Sequence, residues 1–354
     1  MNGRGVRLWS LLPAAVFLLI SFFTSSLPAS AASEFNLTTS PLPVDLVTTP
    51  GHAVSTTLRV QDSGTQAADI KIGLKKFKAN GTDGTPQLLN PGPADTYINW
   101  VSFSRSSFVA QPGQWTDITM SVNPPAGAAF GYYFAVIFSN ASPGTSTNTN
   151  AAQLRGAVAT LVLLDVKAPG EKRSLDVVSF KSAHGLYEYL PANFSIDIRN
   201  TGNVHVIPSG NIFIQKGGKT IATLDVNPSG GNILPASDRV FKPSWGDGFP
   251  VFTPKLVNGQ QVTDKHGRPI MRLSWNFAKV GHLRFGHYTA HMVLSYDNGT
   301  QDVPIEGYVS FWVVPWKAIT GLILLVAAAI YAWRWSVKRA VRKRLAKAQG
   351  APRK

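Results

Sequence analysis

The sequence predicts an all-β protein: two tandem immunoglobulin-like β-sandwiches followed by one C-terminal transmembrane α-helix. Three observations predict it. Short apolar runs of period two recur between Pro- and Gly-rich turns. No stretch between residues 32 and 313 carries a sustained period of 3.6. A single long apolar segment near the C-terminus is followed at once by a cluster of cations.

At the N-terminus, Arg4 and Arg7 precede an apolar stretch from Leu8 to Phe23, and the small-residue triplet Ala29-Ser30-Ala31 follows. These are the three parts of a secretory signal in order, so residues 1–31 are expected to be cleaved after Ala31.

Residues 32–168 form the first expected sandwich. Val54, Thr56, Leu58 and Val60 share one face of a strand, and Ile70, Ile72 and Leu74 repeat the spacing. Asn80-Gly-Thr-Asp-Gly84 is a turn cluster. Trp100–Phe103, Asp117–Val122, Tyr132–Ser139 and Ala157–Val166 supply further strands, with a polar loop at Ser142–Gln153. The boundary falls at Lys167–Arg173, where a Pro-Gly dipeptide sits between charges.

Residues 169–313 form the second sandwich. Phe194, Ile196 and Ile198 alternate, Ile212–Ile214 and Ile221–Val226 follow, and Arg272–Phe277, Tyr288–Tyr296 and Val303–Val313 read as later strands, the last two joined through Asn298-Gly299. Between them Lys242–Pro269 is a long insertion containing Trp245, Phe249 and Phe252. Those rings either close an open end of the core or stack on a ligand, and Tyr132 and Tyr133 are the other aromatic contact candidates, since one of two successive strand residues faces outward.

Residues 314–335 are read as the membrane helix. Trp316 and Lys317 mark one interface; Tyr331, Trp333 and Trp335 mark the other. Arg334, Lys338, Arg339, Arg342, Lys343 and Arg344 follow, and residues 336–354 are expected as a basic cytoplasmic tail, leaving the N-terminus outside a plasma membrane.

The net charge of +15 arises from 34 Lys and Arg against 19 Asp and Glu. Arg4, Arg7 and nine cations from Arg334 onward account for eleven charges, which leaves +4 for the rest of the chain and argues against nucleic acid as a partner. Zero cysteines removes disulfides, thiolate nucleophiles and thiolate metal sites. No nucleophile elbow, zinc-binding His pair, phosphate loop or dinucleotide fingerprint is present, so no enzyme and no cofactor is expected. His282, His287 and His291 lie within ten residues, with no carboxylate near them in sequence; no metal site is expected there. Asp83, Asp247, Asp264 and Asp297 occupy turns, where Asp serves backbone hydrogen bonds.

Leu42-Pro-Val-Asp-Leu46 with Thr49-Pro-Gly51, Trp100-Val101 followed by Pro112-Gly113, Gly131–Ile137, Asn200-Thr-Gly-Asn203 and Phe285-Gly-x-Tyr288 are turn and strand-edge motifs. With the overall layout they resemble the WxL-interacting protein family of Gram-positive bacteria. The resemblance implies a membrane-anchored, non-catalytic surface protein that contacts peptidoglycan or another envelope glycan through its first domain and a surface protein through its second. A different class of function, an envelope assembly chaperone or accessory subunit, would require an unpaired apolar sheet edge in the first domain. The topology has a direct check. Protease added to intact, wall-stripped cells is expected to remove nearly all the mass and leave a small basic stub, whereas protection of the large domains contradicts the orientation.

Overall fold

The computed structural model describes residues 36–141 and 157–349. The expected signal peptide and the Ser142–Gln153 loop therefore lie outside the described residues. The first sandwich contains β1 (Leu37–Ser40), β2 (Val44–Thr48), β3 (Val54–Asp62), β4 (Ala68–Asn80), β5 (Thr85–Leu89), β6 (Val101–Phe103), β7 (Ser107–Ala110), β8 (Trp115–Val122), β9 (Phe130–Asn140) and β10 (Ala157–Val166). One sheet runs β1-β3-β8-β6; the other runs β2-β10-β9-β4-β5, with β7 also on β4. Their facing rows enclose a core that includes Leu58, Val60, Ile118, Met120, Phe134, Val136, Phe138, Val162 and Leu164. This core comes from strict alternation: Leu58 and Val60 are fully buried while Arg59 between them is exposed.

The first strand changes sheets. β1 pairs antiparallel with β3, and after Pro41-Leu42-Pro43 the chain rejoins as β2, parallel to β10. Pro41 and Pro43 have no N–H to give a ladder, so pairing lapses between the two strands.

The second sandwich contains β11 (Leu175–Ser182), β12 (Leu186–Tyr187), β13 (Ala192–Asn200), β14 (Ser209–Lys216), β15 (Lys219–Asp225), β16 (Asp238–Phe241), β17 (Ser244–Trp245), β18 (Val251–Pro254), β19 (Leu256–Val257), β20 (Gln260–Gln261), β21 (Met271–Ser274), β22 (Gly286–Asp297) and β23 (Asp302–Val313). Its sheets run β11-β13-β16, with β17 on β13, and β12-β23-β22-β14-β15. The long insertion is itself structured, as the ribbons β18-β21 and β19-β20. The expected strand Arg272–Phe277 is corrected. Pairing stops at Ser274, and Phe277–His282 is a 3₁₀ turn whose second residue, Ala278, donates its N–H to the Asn276 side chain.

Only Val314 and Pro315 separate β23 from helix α1 (Trp316–Gln349). Its window Trp316–Arg342 is long and apolar enough to cross a membrane. The helix extends beyond the expected boundary at residue 335, because Ala, Leu, Lys and Arg favour helix and no Gly or Pro occurs from Ser336 to Gln349.

Trp245 settles the role of one insertion aromatic. It is 1% exposed and packs at 5.1 Å from Tyr288 and 6.1 Å from Phe311, closing the core at the end of the sandwich nearest α1. Trp245→Ala is expected to cost about 3–5 kcal/mol of unfolding free energy, as a large cavity in a closed core does. Chemical denaturation of purified protein measures it; a loss below about 1 kcal/mol would contradict the packing.

Candidate functional site

The two sandwiches meet along the outer face of β10. Residues Ala159, Leu161, Leu163 and Asp165 share that face, opposite the core row of Thr160, Val162, Leu164 and Val166. Leu163 joins Ala135 and Phe77 in a buried cluster, with Leu88, Tyr133, Ile137 and Leu161 of the first domain and Leu234 of the second packed against it.

One end of this face is closed by charge. Asp165, with a side chain 2% exposed, accepts from Arg173 Nη2 at 2.6 Å, and Arg173 also reaches Glu171 at 2.8 Å and Asp297 at 3.6 Å. Burial and the neighbouring Glu171 carboxylate push the Asp165 carboxyl above its ordinary range, and the Arg173 cation opposes both. Beside it, the Tyr133 hydroxyl lies 3.5 Å from His205 Nδ1, and the Gly131 N–H donates to the Asn203 carbonyl at 3.3 Å. Burial pushes the His205 ring down to about 4, with the Arg173 cation adding to the effect. The His205–Asp45 approach of 3.7 Å is therefore a neutral ring beside a carboxylate at neutral pH, not an ion pair.

A second tie lies at the far side. The tip of the β4-β5 hairpin reaches the second domain, where the Val240 N–H donates to the Thr82 carbonyl at 2.7 Å. Arg239 donates to the Asn232 carbonyl at 2.9 Å and lies 5.4 Å over the Phe241 ring. Gly84, at φ +80°, and Gly231 flank its guanidinium, and a Cβ at either position would collide with it.

Between these ties an apolar cleft of about 470 Å³ remains, lined by Leu42, Phe77, Leu88, Leu161, Leu163 and Leu234 among others. It borders an incomplete edge. β2 pairs with β10 only over Val162–Val166, so the outer edge of Ala157–Leu161 has no strand partner among the described residues. Unpaired backbone thus runs beside a row of apolar side chains, the two features that strand addition to a sheet edge requires in general.

Of the sequence-designated residues, Tyr133 packs in the interdomain cluster beside the cleft, and none of the others lines it. Tyr132 faces the first core, 4.7 Å from Trp100 and 5.4 Å from Tyr97, while Tyr133 faces the second domain. Trp245 is core, Phe249 is buried against Trp275 and Phe277, and Phe252 is half-buried beside Tyr189 at 6.0 Å. Trp316, Lys317, Tyr331, Trp333, Trp335, Arg334, Lys338, Arg339 and Arg342 lie on α1, as do positions 343 and 344. The three histidines do not converge: His282 meets Asp247, His291 meets Glu306, and His287 lies tilted 5.0 Å from Trp312. No group of three or more His, Cys, Asp or Glu able to hold a metal occurs among the described residues. Asp247 is more than a turn residue, since it binds His282 at 2.7 Å, Arg284 at 2.9 Å and Lys279 at 3.5 Å. Sequence reasoning missed the cleft. Its available signal was Ala157–Val166, which is apolar on both faces and so marks a strand covered on both sides.

No family model and no curated protein matches the chain, so the WxL-interacting resemblance finds no counterpart there. Among solved structures the chain is similar to the class 5 fimbriae chaperone CfaA, at 15% identity and TM-score 0.37, over 77% of this chain and 98% of that one. It is also similar to the CsuC-CsuE chaperone-tip adhesion subunit pre-assembly complex from archaic chaperone-usher Csu pili of Acinetobacter baumannii, at 9% identity and TM-score 0.34, over 77% and 97%. The E. coli chaperone DraB matches at 14% identity and TM-score 0.30, over 77% and 98%.

The buried ring of His205 gives the interface a pH dependence. Its folded value near 4 lies below the model-peptide value of 6.5, so its contribution is fully present above pH 6.5 and is lost as pH falls towards 4. Unfolding free energy is expected to fall by about 3 kcal/mol from this group over that window. Titrating stability for the parent and for His205→Gln checks it: the variant is expected to be flatter between pH 6.5 and 4, and parallel curves would contradict the assignment.

Proposed function

We propose that this chain is a non-catalytic, membrane-tethered envelope protein that binds an extended segment of a protein partner as an added strand on the free half-edge of β10, in the manner of an assembly chaperone or accessory subunit. The observation that carries this reading is the coincidence of the edge Ala157–Leu161, unpaired among the described residues, with the apolar interdomain cleft. An edge alone invites indiscriminate pairing, and a cleft alone does not orient a chain. Together they specify an extended, apolar-alternating segment. The apolar helix that ends the fold supports tethering, and the cations after Trp333 support a cytoplasmic C-terminus with both sandwiches outside.

A photo-crosslinking residue at Ala159 in the full chain, expressed in its own cells, tests the reading. Adducts to a discrete protein are expected at Ala159, and none at Arg59, which lies exposed on the opposite sheet. Ala159→Asp is expected to weaken capture of that protein roughly tenfold, equivalent to about 1.4 kcal/mol, by placing a charge in the apolar row. Recovery of wall glycan with no protein adduct would overturn the proposal.

A further inference from the structure

The second sandwich presents an apolar surface that neither the cleft nor the cores use. Trp275, Phe277, Val280 and Leu283 each expose more than half of their area, Phe277 as much as 73%, and Phe285 adds 49%. Such a concentration in eleven consecutive residues is unusual for a surface that faces water. The segment is held in place, not hanging free. Asp247 fastens Lys279, His282 and Arg284; the Phe249 N–H donates to the His282 carbonyl at 3.0 Å; and Phe249 packs 5.7 Å from Trp275 and 5.5 Å from Phe277.

Its position follows from register. Gly286 pairs with Val313, which precedes Trp316 by three residues, so Phe285 stands at the end of the sheet where the chain leaves for α1. That exit is stiff. The Val314 N–H donates to the Tyr187 carbonyl at 2.8 Å, and Lys317 Nζ, in the first turn of α1, contacts Glu188 Oε2 at 2.7 Å. Arg284 lies 5.6 Å over Trp245, the ring that closes this end of the core, so the 3₁₀ turn belongs to the same end of the domain. Trp312 and Trp316, each about half exposed, continue the apolar surface onto the helix.

We propose that the turn Phe277–His282 and its flanks dock onto the outer leaflet of the membrane that α1 crosses, with Trp275, Phe277, Val280 and Leu283 in the interfacial layer and Lys279 at headgroup level. The proposal rests on the reading of α1 as a membrane span. A helix fastened to the sheet within three residues brings this end of the domain to the bilayer surface, where aromatic residues and cations are favoured together. A second contact of this kind fixes the domain's tilt, which a single helix leaves free, and so sets the direction in which the cleft faces.

The chain contains no cysteine, so single-cysteine variants label at one site. Full-length protein carrying Phe277→Cys, Leu322→Cys or Arg59→Cys is labelled with an environment-sensitive fluorophore and placed in phosphatidylcholine–phosphatidylglycerol nanodiscs, with and without lipids bearing a nitroxide quencher. Emission at positions 277 and 322 is expected to fall by roughly half or more with quencher lipids while position 59 is unchanged, the signature of interfacial and spanning sites respectively. Quenching at 322 without quenching at 277 overturns the docking and leaves the span intact. Absence of quenching at both positions overturns the span as well. A label at 277 shielded from aqueous iodide but not quenched by lipid would mean that protein covers the turn, and it also overturns the proposal.

Discussion

The shared strand β10 is the constraint on which the rest of the structure depends. Its core row fills the first sandwich, and its outer row is the floor of the interface with the second. At the Val166 end the outer row turns polar, and the Arg173–Asp165 contact ties the linker to the strand. A buried carboxylate of this kind tolerates its site only while the cation stays, so the pair specifies the interdomain arrangement more than it adds stability. The Thr82–Val240 bond and the Arg239 guanidinium between Gly84 and Gly231 fix the interface at a second point. Between the two separated ties the cleft remains open.

The free edge has a local cause of comparable simplicity. The N-terminal strand must leave one sheet and join the other, and Pro41 and Pro43 make that crossing without ladder bonds. β2 therefore begins too late to cover Ala157–Leu161. The unpaired backbone lies where Ala159 and Leu161 face the cleft, so edge and cleft arise from the same strand. The helix and the apolar turn near Phe277 lie where β23 leaves the second sandwich, apart from the cleft lined by Ser229–Leu234 of that domain.

Much of the architecture was legible because the alternation at Leu58–Val60 or Ile196–Ile198 reports directly on a core, and because the apolar run from Trp316 marks a helix long enough to cross a membrane. Trp245 was ambiguous for a physical reason: a ring in a polar insertion looks the same whether it folds back or points out, and the decision depends on Tyr288 and Phe311, more than forty residues away. The cleft was illegible because Leu42, Phe77, Leu161 and Leu234 come together only through the interdomain packing. Asp247 read as a turn residue because its partners Lys279, His282 and Arg284 are distant in sequence. The turn at Phe277 read as a strand because its apolar residues match an alternating pattern, whereas Asn276 caps a 3₁₀ turn there.

The proposed function requires that Ala157–Leu161 offer backbone for pairing and that a partner strand occupy it. Amide hydrogen exchange on the full chain, alone and saturated with the crosslinked partner, tests this most directly. The outward-pointing amides of Ala157–Leu161 are expected to exchange freely in the unbound protein and to become protected in the complex, with those of Val162–Val166 protected in both. Protection of the whole of β10 before binding, or an unchanged exchange rate in the complex, would contradict it.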